Sequence, residues 1–506
     1  MENNSCFGRT VLGSVQRLKG HQMKLSLIHI SKRLTLISVV LVAAIISTNA
    51  QATGKPPIII IPGISGSQLV NPATNKAVWF SVKRDKDDDL RLPMTSSILS
   101  RNRDSLQAQD IIRKVELPVL PDVEVYQTLI DSLKERGYTE ATWNNPKATD
   151  VFYVFAYDWR RDNVESAQLL MQKMTDAKRR LRTPNLKFDI LAHSMGGLVA
   201  RYAAMYGSAD LSRNGSPVPT WAGAAHIDKL MMFGTPNEGA FSAFDTLLNG
   251  YPIVANRDLP FVDDPRPEDV MTNPSVFQLI PHQNSARFLD ENLQPLTVDI
   301  YNVDTWITYG WGAIADPKFL SKLRDASRLE LTNKEIKPAK LNKNASGDDR
   351  ILARTTYAQV RAYFVATLDR ARRFHLAMDA TSKTAPVQLF AYGGNCAPTL
   401  DAAVLIRDDK KGTWTTLVDA KDIKTADGKQ IKKDEVKAAM FTPGDGRVTK
   451  RSLLSETELA KGGPEMIKIP LASSFFACGL HTSLFLEKQI QESFWSALVV
   501  EETAKP

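Results

Sequence analysis

The sequence predicts an α/β protein: a mostly parallel sheet with helices on both faces and a helical cap inserted into it. Three observations predict this. Short, solidly apolar runs bounded by Pro and Gly alternate with stretches of helical period, the pattern of a parallel sheet covered on both sides. The alternation breaks after Ala240 and resumes at Val387, as an insertion would make it do. The bulk composition, 43% apolar and 24% charged over 506 residues, is ordinary globular usage. It excludes collagen, coiled coil and a multi-span membrane protein as descriptions of the whole chain.

At the N-terminus, Lys32-Arg33 precede an apolar run over residues 34–47, and residues 48–52 (TNAQA) follow with small-x-small spacing. A basic region, a short apolar stretch and such a site describe an export signal. The run is shorter than the ~20 residues a membrane-spanning helix needs. Residues 1–52 are therefore expected to be a leader, which Met23 could start by itself. The protein is expected to be exported, periplasmic or extracellular, and membrane-associated only where the leader is kept. Of the net charge of +8, residues 1–52 carry +5. The small remainder provides no clustered basic face for nucleic acid. Cys6 leaves with the leader. Cys396 and Cys478 remain as a pair that can form a disulfide in an oxidising compartment, with two buried thiols as the alternative.

Residues 56–63 (PPIIIIPG) are an apolar run stopped by Pro-Gly and read as a buried strand. Residues 151–159 (VFYVFAYDW), 188–191 (FDIL), 227–233 (IDKLMMF) and 387–392 (VQLFAY) read the same way. Helical periods occupy 123–136, 164–181 and 196–206. From 241 to about 383 the pattern is mainly helix and loop, with helical stretches at 306–311 and 354–378 and a polar, solvated loop over 333–350. Beyond it, 404–407 and 413–418 flank Asp408-Asp409-Lys410-Lys411-Gly412 as a hairpin. The expected organisation is leader 1–52, first part of the core 53–240, cap 241–384 and second part of the core 385–506.

One serine stands in a chemically special context. Ala192-His193-Ser194-Met195-Gly196-Gly197 follows an apolar strand and opens a helix, as a nucleophile elbow requires. Small residues flank such a serine because neighbouring backbone passes close by; Ala192 stands where Gly is usual, one methyl more. The acid and base should follow in the order Ser, Asp/Glu, His. Asp445, between Gly444 and Gly446 after an apolar run at 438–441, fits the acid, although Asp-Gly is also a common turn. Of seven histidines, His21 and His29 lie in the leader, and His193 adjoins the serine and should point away from it. His226 begins a strand, at the wrong edge of a parallel sheet. His282 and His375 fall in the cap, leaving His481 as the base. The oxyanion hole needs backbone N–H donors. Met195, directly after the serine, and Ile64, in the loop 62–67 (PGISGS), are the expected donors, with Ser65 the alternative to Ile64. No phosphate-binding or metal-binding pattern occurs, and no cofactor is expected.

These residues, taken in order, resemble the lecithin:cholesterol acyltransferase family of α/β-hydrolases. The resemblance rests on PIIIIPGISGSQL near the start, YDWR at 157–160, AHSMGG around Ser194, GTPNEGA at 234–240, PSVFQLIP at 274–281, YGG at 392–394, GDGRV around Asp445 and the late His481. It spans nearly the whole chain after the leader. It implies Ser194 as nucleophile, Asp445 as acid and His481 as base, with Ile64 an oxyanion donor and Asp158 and Trp159 at the substrate pocket. Arg447 and Thr449 depart from the family's GDGTVP. The implied activity is hydrolysis or O-acyl transfer on a lipid ester, at a membrane surface or lipid particle. A serine esterase or amidase on a soluble substrate is the alternative, and a silent binding protein a further one. Phe241, Phe244, Leu247, Leu248, Tyr251, Phe261, Trp306 and Trp311 make the cap apolar, either as pocket lining or as packing against the sheet.

Overall fold

The four isoleucines of the first apolar run form the middle of a sheet. The computed structural model describes residues 54–81, 89–115, 123–213, 217–251, 264–331, 334–341, 346–380, 384–457 and 466–499. The leader and Phe261 lie outside the described residues. Seven parallel strands make the main sheet: β1 (Ile58–Ile61), β2 (Thr139–Glu140), β3 (Val151–Val154), β4 (Phe188–His193), β5 (Ile227–Phe233), β6 (Gln388–Gly394) and β7 (Leu471–Ala477), in the order β7-β6-β5-β4-β1-β3-β2. Ile60 lies opposite Leu191, Phe233 opposite both His193 and Tyr392, and Tyr392 opposite Phe475. The carboxyl ends of β4, β5, β6 and β7 are thereby aligned along one rim.

The strand period of two sends alternate side chains to opposite faces, and both faces are covered. Ile59 and Ile61 pack with α2 (Asn163–Leu181), α3 (Met195–Tyr206) and α5 (Tyr357–Met378) through Leu170, Leu198 and Leu368. Ile58 and Ile60 pack with α1 (Gln127–Glu135) and α6 (Lys488–Val499) through Ile130 and Phe494. All four isoleucines have no exposed surface, which is why the run is solidly apolar instead of alternating.

Between β5 and β6 the chain leaves the sheet. This insertion holds α4 (Phe241–Asn249), several short helices and α5, whose start is capped reciprocally: Thr356 Oγ1 accepts from the Gln359 amide and Gln359 Oε1 from the Thr356 amide. Phe241, Phe244, Leu247, Trp306 and Trp311 are buried, and the four aromatic rings among them pack edge to face, Phe244 to Trp311 at 4.8 Å. Those five side chains serve as packing, leaving Leu248 and Tyr251 partly exposed. A four-stranded sheet (Pro295–Leu296, Arg287–Leu289, Ala402–Asp408, Thr413–Leu417) joins the insertion to the segment after β6, and its last two strands form the expected hairpin.

Several elements differ from expectation for identifiable reasons. The run 151–159 keeps strand form only to Val154; beyond it Arg160, wholly buried, pairs with Asp158 and Asp104 and draws the chain out of the sheet. Residues 438–440 end a helix, Lys433–Met440, and only Phe441–Gly444 is strand, paired with Ala397–Leu400 outside the main sheet. β2 and β7 are edge strands; the polar, half-exposed LASSFFA of β7 carries little apolar signal. The stretch 333–350, expected to be loop, holds Lys334–Glu335, which pairs with Glu330–Leu331 just before it, and most of the helix Gly347–Leu352. No helix among the described residues is long and apolar enough to cross a membrane.

Candidate active site

Ser194 sits between β4 and α3 with φ 52° and ψ −124°, a backbone conformation that side-chain-bearing residues rarely adopt. The strain is held from both sides: the Ser194 amide donates to Phe233 O at 2.8 Å, and the Gly197 amide to Ser194 O at 3.0 Å. Close approach explains the glycine that follows. A Cβ on Gly196 would stand 2.5 Å from Pro62 O, so the start of α3 can lie against the end of β1 only with hydrogen there.

His481 opens a short 3₁₀ helix, His481–Leu486, just past β7. Its Nε2 is 2.9 Å from Ser194 Oγ, and its Nδ1 is 2.8 Å from Asp445 Oδ2. Since a carboxylate only accepts, Nδ1 carries the hydrogen and Nε2 is left to accept from the serine hydroxyl. Asp445 comes from a different place than its sequence position suggests. The chain leaves β6, makes the excursion through residues 396–444, and returns Asp445 to the carboxyl end of β6, where a Cβ on Gly394 would be 2.9 Å from Asp445 Cα. Asp445 Oδ1 accepts from the amides of Arg447 at 2.9 Å and Val448 at 2.7 Å. Burial pushes the Asp445 carboxyl up. The charge and hydrogen bond of His481, with the Val448 and Arg447 amides, outweigh it and hold the carboxyl below its usual range. The His481 amide donates to Asp445 O at 2.9 Å, so backbone as well as side chains tie the two segments. Ser194, His481 and Asp445 are all more than nine-tenths buried.

The loop after β1 is a turn closed by the Gly66 amide on Gly63 O at 3.1 Å, with Ser65 at φ 60°. It lies against the serine: a Cβ on Gly63 would be 2.9 Å from Ser194 Cβ. Among the described residues the amides of Ile64 and Met195 donate to no protein acceptor. Two indoles brace this loop, Trp79 Nε1 donating to Ser65 O at 2.7 Å and Trp159 Nε1 to Ser67 O at 3.2 Å. Trp159 is therefore buried beneath the loop, and Asp158 is engaged by Arg160. Cys396 and Cys478 form a disulfide, Cα to Cα 5.1 Å, joining the chain just past β6 to the chain just past β7.

His226, His282 and His375 lie elsewhere. His282 and His375 stack on one another at 3.9 Å, with His375 Nδ1 2.7 Å from Tyr301 Oη and Nε2 3.1 Å from Gln278 O. His193 does turn from the serine, but to a partner the sequence does not announce, Tyr126 Oη at 2.8 Å. Tyr126 precedes α1 with no motif around it, so no sequence signal marks it. No cluster of metal-ligating side chains occurs among the described residues.

A parallel seven-stranded sheet covered by helices on both faces, with the serine on a sharp strand-to-helix turn at its carboxyl rim, is the fold of an α/β-hydrolase. The chain belongs to the lecithin:cholesterol acyltransferase family, whose sequence pattern matches residues 69–453. It is thus an enzyme of lipase and acyltransferase type, acting on lipid esters. Among solved structures it is similar to the Tle4–Tli4 complex, at 13% identity and a TM-score of 0.43 over 88% of this chain and 98% of that one. It is similar too to the Bacillus licheniformis lipase BlEst2 in propeptide form, at 12% identity and 0.31 over 90% and 53%, and in mature form, at 11% and 0.27 over 89% and 95%. No curated protein sequence matches it.

Proposed function

We propose that the protein is an exported serine lipid-ester hydrolase or O-acyltransferase working through an acyl-enzyme on Ser194. The reading rests on one observation above the others: the hydrogen-bonded line from Ser194 Oγ through His481 to Asp445 at the carboxyl rim of the sheet. Ser194 Oγ attacks the ester carbonyl while His481 Nε2 takes its proton. Asp445 keeps the imidazole in the right tautomer and stabilises the imidazolium. The amides of Ile64 and Met195 receive the charge that develops on the carbonyl oxygen. His481 then returns the proton to the departing alcohol, leaving the acyl group on Ser194. Water or a second alcohol then attacks the acyl carbon while His481 takes its proton, and His481 returns that proton to Ser194 Oγ as the serine–acyl bond breaks, releasing a fatty acid or a new ester. Asp158 and Trp159 act on the pocket from behind, through the braced loop, and residues 241–384 form its cap. The substrate is met at a membrane surface or lipid particle.

The test is incubation of purified protein with phospholipid vesicles, with and without a sterol or long-chain alcohol, following free fatty acid and new ester together. Both products should vanish in Ser194→Ala, because losing a member of such a unit costs ~10⁴–10⁶ in rate. Turnover by Ser194→Ala at a tenth of the normal rate removes Ser194 as nucleophile. Cleavage of a soluble ester with neither lipid product removes the lipid assignment.

A further inference from the structure

We infer that Tyr126 and His193 are positioning residues of this site, forming a buried hydrogen-bonded chain that holds the oxyanion turn and the base segment in register. The inference rests on the Ser194–His481–Asp445 reading. The Gly63 amide donates to Tyr126 Oη at 2.8 Å, Tyr126 Oη lies 2.8 Å from His193 Nδ1, and His193 Nε2 lies 2.9 Å from the backbone oxygen of His481. Each link has one direction. The His481 carbonyl can only accept, so His193 Nε2 carries the hydrogen. On a neutral ring Nδ1 then accepts, and the phenol donates to it while accepting from Gly63. Tyr126 Oη is used twice, as donor and as acceptor, and both nitrogens of His193 are engaged.

Three segments far apart in sequence meet through it: the turn after β1, the residue before the nucleophile, and the backbone of the base. His193 is held by β4 itself, where it pairs with Phe233, so the hydrogen-bonded chain is anchored to the main sheet. Phe485, in the same short helix as His481, closes one side, its ring 5.4 Å from His193 and 6.0 Å from Tyr126. Burial, then the nearby His481 charge, pushes the His193 imidazole down to about 3, and burial pushes the Tyr126 phenol up. His193 is thus neutral near pH 7, and its two hydrogen-bond partners hold it in one tautomer. Although its ring is 4.9 Å from that of His481, it is no rival base, because both of its nitrogens are engaged. What it controls is where the His481 backbone sits, and hence where Nε2 points.

The chain predicts a loss in the chemical step with little loss in binding, since a misplacement of ~1 Å at reacting groups costs about 10²-fold. Tyr126→Phe removes one oxygen and frees the Gly63 amide. His193→Leu removes both links, whereas His193→Gln can still present an amide N–H to the His481 carbonyl. Purified full-chain variants are assayed on a soluble p-nitrophenyl ester for kcat and KM, with melting temperature measured in parallel and Ser194→Ala and His481→Ala as controls. We expect Tyr126→Phe and His193→Leu to lower kcat by ~10–10²-fold with KM nearly unchanged, and His193→Gln to recover most of it. Should His193→Leu fail to fold, the single-oxygen deletion Tyr126→Phe still decides. An unchanged kcat in folded Tyr126→Phe, or a loss that tracks melting temperature and is not relieved by His193→Gln, overturns the chain while leaving the triad standing. Activity remaining in His481→Ala overturns the triad reading and the chain with it.

Discussion

Opening the Cys396–Cys478 bond is expected to lower stability far more than it lowers activity at room temperature. The two cysteines are 82 positions apart in sequence, and the crosslink closes that loop in the unfolded chain. In the chain-entropy picture, closing it raises stability by about 4.5 kcal/mol. Unfolding entropy of ~2.1 cal/mol/K per residue, summed over the unit formed by residues 55–506, converts this to a fall of roughly 5 °C in melting temperature. The site should survive at 25 °C, because His481 and Asp445 are also joined by the amide of one to the carbonyl of the other. The assay compares melting curves and ester turnover of the wild type with a Cys396→Ser, Cys478→Ser double variant, after alkylation and mass spectrometry of the unreduced protein. Two alkylatable thiols in that sample would refute the bond. A bonded protein whose double variant melts within about 1 °C of it would refute the entropic reasoning.

Asp445→Asn should leave the fold intact and lower kcat on a soluble ester by about 10⁴-fold, because an amide facing Nδ1 favours the wrong imidazole tautomer; fluorophosphonate labelling of Ser194 should slow in step, and labelling at the normal rate would remove Asp445 from its role. Asp189 gives a pH dependence that has nothing to do with catalysis. Burial, with help from the charge of Asp228 and against that of Lys229, raises its carboxyl to about 7. Between the ordinary carboxylate value near ~4 and about 7, the folded state keeps a proton that the unfolded state has released, so stability falls as pH rises through that window and levels off above it. Urea midpoints at pH 5 and pH 8 should therefore converge in Asp189→Asn; an equal pH difference in variant and wild type would refute the assignment.

The parts of this molecule that are legible in its sequence are those where one local requirement dictates residue type. A strand buried on both faces must be solidly apolar, and residues 58–61 are. The elbow needs small neighbours where backbone passes within 2.5 Å of a would-be Cβ, and Gly196 supplies one. Edge strands impose no such demand. β7 is half exposed and reads as polar loop, yet it delivers His481 to the rim. Asp445 can be proposed from its glycine neighbours, and the hairpin inside the excursion 396–444 is legible, but the return of Asp445 to the end of β6 has no local signature. The aromatic residues of the insertion show the opposite difficulty. Pocket lining and core packing require the same side chains, so only the contacts distinguish them, and Phe244 and Trp306 are core.

Tyr126 marks where local reading stops altogether. Nothing within ten residues of it hints at the site, because its constraint is three-dimensional: one oxygen must accept from the turn at Gly63 and donate to the ring of His193. A side chain that acts through another leaves no spacing pattern of its own, since its partners lie 63 and 67 positions away along the chain. The groups proposed to touch substrate sit on turns whose backbone geometry restricts their neighbours to a few residue types. The groups proposed to position them sit in ordinary elements and are constrained only by hydrogen-bond direction and burial. That difference in physical constraint explains why Ser194, Asp445 and His481 carry local sequence signals from which a site can be proposed, while His193 could be assigned a direction but no partner.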